Sequence, residues 1–365
     1  MKICIFLLIL LLNFIVAAAE NSNCELLNFL GYQDGIRSSN QKSAYTEYLK
    51  LEEMSGFLHD YSETLTERGP NQAEAGKLAD AYQALSRRRV AASVRLLDTC
   101  PKDRFLLKRG TVVQPDNAIF NRFFVNLGYD DPAEFQKRVN SWIYFLDPFQ
   151  PGKPVVLFVH GHGGSAANFD FINRNIDKTR FQAWAYFYPS GEPVRDTAYR
   201  LLTELRTCKE KYHFGDIYIV AHSLGGVVTR TMLSMGQEAN PIPGLKGVLT
   251  IASPNKGIVA TVPYDALCQL VFNHFDHSIE ELYVNSPLMQ QMNGHQVPGV
   301  RFISCVGNHP KTPNFEATSK LIGGTNDGLI RLENASIFES CDFVEDEDHA
   351  TILQSQRVVQ AINSF

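Results

Sequence analysis

Three side chains in this sequence are of the types that together cleave esters: a serine, an aspartate and a histidine. Ser223 stands in the stretch IVAHSLGGVV, directly after an apolar run of strand length. Asp327 stands in TNDGLI and His349 in DHATIL. A serine hydroxyl attacks a carbonyl only when a base takes its proton, a carboxylate orients that base, and N–H groups hold the developing oxyanion. The chain order serine, aspartate, histidine is the one expected when the nucleophile rides on a strand–turn–helix elbow.

Such an elbow is so sharp that the positions two residues either side of the serine must be small. Ala221 and Gly225 meet this. The oxyanion donors are expected from two backbone N–H groups. One belongs to Leu224, directly after the serine. The other belongs to His162, in the glycine-rich loop of VVLFVHGHGGS that follows His160-Gly161. Each feature alone has a plainer reading: a serine in a tight turn, an aspartate in an Asn-Asp-Gly turn, a histidine exposed after an acidic run. Their conjunction in the required order favours chemistry. Asp346 and Asp348 are rival carboxylates, but they sit too near His349 in the chain to reach its far nitrogen and are expected to face solvent. His309 precedes Asp327, which is the wrong order for the base. His222, inside the elbow, reads as structural.

An alternating pattern of apolar runs and helical stripes surrounds these residues. SWIYFLD, KPVVLFVHG, FQAWAYFYP, DIYIVAHS, LKGVLTIAS and VRFISCVG each have strand length and near-continuous apolar character. SIFESCDF is a last strand candidate. Helical stripes lie between them at 196–212 and 225–235, and a closing helix is expected over 350–362. Apolar strands alternating with helices predict an α/β fold: a mostly parallel sheet with helices on both faces. Upstream, residues 43–98 read as a helical hairpin broken at Gly69-Pro70, with Arg87-Arg88-Arg89 on a solvated face. The stretch 257–293 is rich in large apolar residues, among them Val262, Tyr264, Leu267, Leu270, Phe272 and Phe275. It is a candidate lid whose apolar surface would suit an acyl chain and transient contact with lipid. Ordinary packing of helices on the sheet explains it equally well.

The segments PVVLFVHGHGGS, IVAHSLGGVVTR, LTIASPNKG, NDGLIRLENA and DHATIL resemble the α/β-hydrolases of the lipase class. Within that class they are most similar to the GPI inositol-deacylase-like group. The resemblance covers roughly residues 141–365 and omits the N-terminal helices. It implies the α/β-hydrolase fold, Ser223, Asp327 and His349 as the triad, and His162 and Leu224 as oxyanion donors. ASPNKG lacks the histidine that lipases often carry as TPHxG. Eukaryotic members of the group carry membrane spans after the hydrolase that this sequence does not contain. Their substrate is therefore not carried over. The expectation is a serine hydrolase of carboxylic esters, lipid-like ones in particular. A non-catalytic lipid-binding protein or an acyltransferase on the same fold remains open.

The remaining features bound this reading. Residues 1–19 combine Lys2, an apolar run and Ala17-Ala18-Ala19, as a cleaved signal peptide does. The expected location is secreted or periplasmic, or the lumen of the secretory pathway. Residues 20–110 are then a helical extension and 111–365 the hydrolase domain. In an oxidising compartment the six cysteines after the signal (Cys24, Cys100, Cys208, Cys268, Cys305 and Cys341) are expected to pair as disulfides. Asn334-Ala335-Ser336 is a glycosylation sequon. A net charge of −5 without a basic block argues against nucleic acid as a partner. No phosphate-loop or dinucleotide pattern occurs. His274 and His277 lack a third ligand, so no metal or other cofactor is expected.

Overall fold

The computed structural model describes residues 45–56, 58, 72–98, 107–235, 242–259, 277–292, 298–336 and 342–365. The signal segment, Gly69-Pro70 and the six apolar residues named at the centre of the candidate lid lie outside these. Seven strands form one sheet: β1 (Trp142–Phe145), β2 (Val155–Val159), β3 (Gln182–Phe187), β4 (Ile217–His222), β5 (Leu245–Ile251), β6 (Arg301–Gly307) and β7 (Phe343–Glu345). Their spatial order is β1-β3-β2-β4-β5-β6-β7. β1 runs antiparallel to β3, and every other pairing is parallel. This is the predicted mostly parallel α/β sheet.

The helices, in chain order, are α1 (residues 45–56), α2 (Gln72–Asp98), α3 (Arg122–Asp130), α4 (Pro132–Arg138), α5 (Asp170–Asn175), α6 (Val194–Tyr212) and α7 (Leu224–Ser234). After these come α8 (His277–Glu280), α9 (Pro287–Met292), α10 (Pro313–Ile322), α11 (Leu332–Ala335) and α12 (Gln356–Asn363). Side chains alternate across a strand, and both sides of this sheet are covered. On β2, Val156 and Phe158 join a core cluster with α1, α2, α3 and α12, while Val155, Leu157 and Val159 join one with α6, α7 and α9. Each β2 residue is buried, which explains why the strand reads as a continuous apolar run rather than an alternating one.

The N-terminal helices share the first of these cores. Tyr48, Leu51, Leu85 and Leu96 pack in one cluster with Phe123 and Phe124 of α3. The basic triplet is not a uniformly solvated face as expected. Arg87 and Arg88 are exposed, but Arg89 is only 6% exposed. Its Nε donates to Asp130 Oδ2 at 2.6 Å and its Nη1 to Glu52 Oε1 at 3.3 Å. One residue in three turns inward because a helix rotates about 100° per residue, and here the inward position meets a buried carboxylate.

Other expectations need correction at the edges. The last strand is Phe343–Glu345, at the end of SIFESCDF and beyond it. The closing helix is interrupted: a 3₁₀ turn covers Thr351–Gln354, and α12 starts afresh after Ser355, whose hydroxyl accepts from the N–H groups of Arg357 and Val358. A serine cap restarts the helix where periodicity alone suggests one continuous stretch. The six cysteines do not all pair. Cys208 is a free, buried thiol, and the buried Cys305 Sγ donates to the Thr250 carbonyl at 3.5 Å. Cys24, Cys100, Cys268 and Cys341 lie outside the described residues. The sequon is folded into the core, with Asn334 and Ser336 both buried. Among the described residues no helix is long and apolar enough to cross a membrane.

Removing one member of a buried ion pair leaves the other charge uncompensated, at a cost of roughly 3–5 kcal/mol. Arg89→Met should therefore lower the unfolding free energy by about that much in urea titrations, by undoing the seat of α1 and α2 on α3. A loss below about 1 kcal/mol would show that Asp130 does not hold these helices.

Candidate active site

β4 ends at His222, and α7 begins at Leu224, so the chain reverses at Ser223 alone. Ser223 takes φ 52° and ψ −124°. A non-glycine residue in this region is strained by roughly 1–3 kcal/mol and persists only when its surroundings enforce it. The enforcement is visible. Ser223 N–H donates to the Ile251 carbonyl at 2.9 Å, and Gly226 N–H closes on the Ser223 carbonyl at 3.0 Å. Gly225 lies against the end of β2, where a Cβ would stand 2.3 Å from the Val159 carbonyl oxygen and 2.5 Å from that of His160. Ala221, on the other side of the turn, is fully buried. The smallness required at Gly225 thus has a named steric cause.

The three side chains singled out in the sequence meet. Ser223 Oγ lies 3.0 Å from His349 Nε2, and His349 Nδ1 lies 2.9 Å from Asp327 Oδ2. The carboxylate can only accept, so the neutral imidazole carries its proton on Nδ1 and presents Nε2 as an acceptor to the serine hydroxyl. Asp327 is wholly buried at the tip of its turn. Its Oδ1 accepts from the N–H groups of Leu329 (2.9 Å) and Ile330 (2.7 Å), leaving Oδ2 aimed at the histidine. The neighbouring Asn326 makes the tight turn, its Oδ1 accepting from Gly328 N–H at 2.8 Å with Gly328 at φ 99°. A backbone bond doubles the side-chain contact, for His349 N–H donates to the Asp327 carbonyl at 2.9 Å.

The rivals are placed elsewhere. His309 pairs at the surface with Asp346, its Nδ1 3.0 Å from Oδ1. Asp348 does not face solvent as expected. It is fully buried, and its Oδ1 accepts from the N–H groups of Ala350 and Thr351, which fixes the turn that carries His349. His222 braces the site: its Nε2 lies 2.9 Å from the His349 carbonyl, which can only accept, so that nitrogen holds the proton. Burial, reinforced by the nearby His349, pushes its pKa down to about 3.

The glycine-rich loop comes up beside the serine. A Cβ on Gly161 would lie 2.9 Å from Ser223 Cβ, so only glycine allows this approach. His160 supports the loop from below. It stacks on Tyr188 at 4.1 Å, its Nδ1 lies 2.8 Å from the Gly161 carbonyl, and Tyr188 Oη donates to the His160 carbonyl at 2.7 Å. Burial pushes its pKa down to about 4. Within the loop, Gly163 N–H donates to Ser190 Oγ, Gly164 N–H to the Gly161 carbonyl, and Ser165 N–H to Asn168 Oδ1. Those three amides are committed to holding the loop's shape. His162 follows Gly161 directly. Leu224 is the first residue of α7, where a helix has no internal acceptor for its N–H.

Gly307 belongs to no motif in the sequence, yet a Cβ there would lie 2.0 Å from the Glu347 carbonyl oxygen and 3.2 Å from Asp327 Cβ. This glycine at the end of β6 lets the aspartate and histidine loops converge. Its signal in the sequence was a glycine closing an apolar strand. Arg230, likewise given no role by the sequence, is buried in α7, and its guanidinium donates to the Asn255 and Met292 carbonyls and ties the turn after β5 to α9. Burial lowers its pKa to about 10.

A family model described as "Putative serine esterase (DUF676)" matches residues 151–278. A Bacillus licheniformis lipase in its mature form superposes with a TM-score of 0.52 at 18% identity, over 61% of this chain and 98% of that one. The propeptide form of that lipase gives the same TM-score and identity, over 61% of this chain and 54% of the longer one. These similarities establish the α/β-hydrolase fold. Among curated proteins, no sequence matches this chain.

The two buried histidines give stability a pH dependence of definite sign. An unfolded histidine titrates near 6.5, and the folded values lie far below. The unfolded chain therefore binds more protons between these values, and stability falls as pH drops below about 6.5. Each histidine should cost about 2 kcal/mol by pH 5 relative to pH 7. His222→Gln keeps a donor for the His349 carbonyl and should remove about 2 kcal/mol of that pH-dependent loss in urea titrations. Parallel curves for the variant and the wild type would contradict this.

Proposed function

We propose that this chain is a serine hydrolase of carboxylic esters, with Ser223 as nucleophile, His349 as general base and acid, and Asp327 as its orienting carboxylate. The observation that carries the reading is the continuous relay from Ser223 Oγ through both nitrogens of His349 to Asp327, at 3.0 and 2.9 Å. His349 Nε2 takes the serine proton as Oγ adds to the ester carbonyl. Asp327 stabilises the imidazolium that results. The backbone N–H groups of His162 and Leu224 hold the oxyanion, a contribution of roughly 10²–10³ in rate per donor in comparable enzymes. His349 then returns the proton to the leaving alcohol, and an acyl-serine remains. Water, deprotonated by the same nitrogen, releases the acid. None of these steps calls on a cofactor.

The match to a serine-esterase family model over residues 151–278 supports the reaction class. We place the substrate among lipid-like carboxylic esters on the apolar composition of residues 257–293. In the described part of that segment, Ile258, Ile279, Leu282, Leu288, Met289 and Met292 are buried in the second core, as ordinary packing would have them. The apolar leader and the small-residue site before Glu20 support a secreted or periplasmic protein, or one in the lumen of the secretory pathway.

A series of p-nitrophenyl esters of rising acyl length, run beside a phospholipid and an anilide, tests this directly. Turnover of at least one carboxylic ester is expected, with the anilide far slower. Ser223→Ala should reduce kcat by roughly 10⁴-fold or more while the fold is retained, as loss of a nucleophile does. Ester turnover that survives Ser223→Ala would overturn the assignment.

A further inference from the structure

A cavity of about 490 Å³ lies between the N-terminal helices and the loop that carries His162. That is within the size range of small-molecule sites. Its walls come from three parts of the chain: Ser55 and Ser86 from α1 and α2, Asn126 and Tyr129 from α3, and His162 and Asn168 from the loop. The His162 ring packs on Tyr129 with centroids 4.6 Å apart. Residue 162 follows Gly161, whose backbone lies against Ser223. The loop that lines the cavity at His162 thus meets the serine one residue earlier, at Gly161.

The charges around the cavity cancel. Arg89 on its floor is matched by Asp130 and Glu52. Arg122 at its rim lies 3.8 Å from the second oxygen of Glu52. Asn126 Nδ2 also donates to Glu52, at 2.9 Å. An ionic ligand would have to compete with these pairs and would leave a buried charge uncompensated. A purely apolar chain would strip water from the hydroxyls and amides without replacing its hydrogen bonds. Leu85, Phe120 and Val125 also line the cavity, so its surface suits a small uncharged group that gives and accepts hydrogen bonds and carries apolar carbon beside them.

We propose that this cavity is a substrate subsite, built by the N-terminal helices, for an uncharged hydrogen-bonding group attached to the ester that Ser223 cleaves. The proposal rests on the hydrolase reading of Ser223. The same chemistry can belong to the alcohol part of the ester or to its acyl part. The helical extension, which the resemblance to lipases does not reach, is then a specificity element of the site.

Four butyrate-type esters separate the cases: ethyl butyrate as the plain reference, glycerol monobutyrate with a polar alcohol, ethyl 3-hydroxybutyrate with a polar acyl group, and butyrylcholine with a cationic alcohol. Ser86→Trp fills the cavity from α2, and Ala167→Trp fills it from the loop side. Either variant should lower kcat/KM for glycerol monobutyrate or for ethyl 3-hydroxybutyrate, relative to ethyl butyrate, by tenfold or more. Whichever ester responds identifies the part of the substrate that the cavity holds. The ratio for butyrylcholine should stay within twofold. If neither polar ester's ratio falls by tenfold in either variant, or if the ratio for butyrylcholine falls by more than twofold, the proposal is overturned. A turnover-free measurement separates this from the hydrolase reading: glycerol monobutyrate and ethyl 3-hydroxybutyrate are titrated against Ser223→Ala protein by saturation-transfer NMR. Binding of one of them that Ser86→Trp abolishes supports the subsite even if no ester is hydrolysed. No binding, or binding indifferent to Ser86→Trp, contradicts it.

Discussion

The imidazole of His349 is the point on which the structure converges. It touches a hydroxyl 126 residues earlier in the chain and a carboxylate 22 residues earlier, each at hydrogen-bonding distance. Neither contact is local, so the sheet must supply both. β4 delivers the serine, the loop after β6 delivers the aspartate, and the turn after β7 delivers the histidine. The carbonyl of Asp327 and the ring of His222 hold the backbone at residue 349 from two sides. The imidazole is thus oriented by the fold itself, which is the preorganisation that the proposed ester hydrolysis would require.

Close approach of backbones is the second constraint, and glycine supplies it at each junction. Gly225 lets the elbow sit on the end of β2, Gly161 lets the glycine-rich loop pass the serine, and Gly307 lets the aspartate and histidine loops meet. The strained conformation of Ser223 is held by this packing together with hydrogen bonds from β5. Buried neutral histidines flank the same junctions. His160 and His222 act as hydrogen-bonding struts, and burial holds their proton affinity down.

Much of this was legible in the sequence because the relevant signals are local. Continuous apolar runs marked the six strands β1 to β6, since strands covered on both faces need no polar positions. The elbow showed itself as a serine between a strand and a helix with small residues on either side. Chain order then separated Asp327 and His349 from their rivals. What escaped depends on distant partners. Arg89 sits in a basic triplet and points inward only because Asp130 and Glu52 wait there. Asp348 looks solvated in an acidic run, yet it folds inward to cap its own turn. Cysteine count suggested pairing, but Cys208 sits among the packed side chains of α6, where burial pushes its thiol up to about 12. The restart of the last helix at Ser355 was also lost, because a cap residue inside a periodic stretch looks like one more surface serine.

The central claim is that Ser223 is activated by His349, and covalent labelling reads this without knowledge of the substrate. The protein is treated with a fluorophosphonate, digested and mapped by mass spectrometry, with the labelling rate followed in parallel for His349→Ala. The account predicts one labelled residue, Ser223, and a rate at least a hundredfold lower once the imidazole is gone, in line with the interdependence of such groups. A protein that takes up no label, takes it up on another residue, or labels Ser223 equally fast without His349 would contradict it.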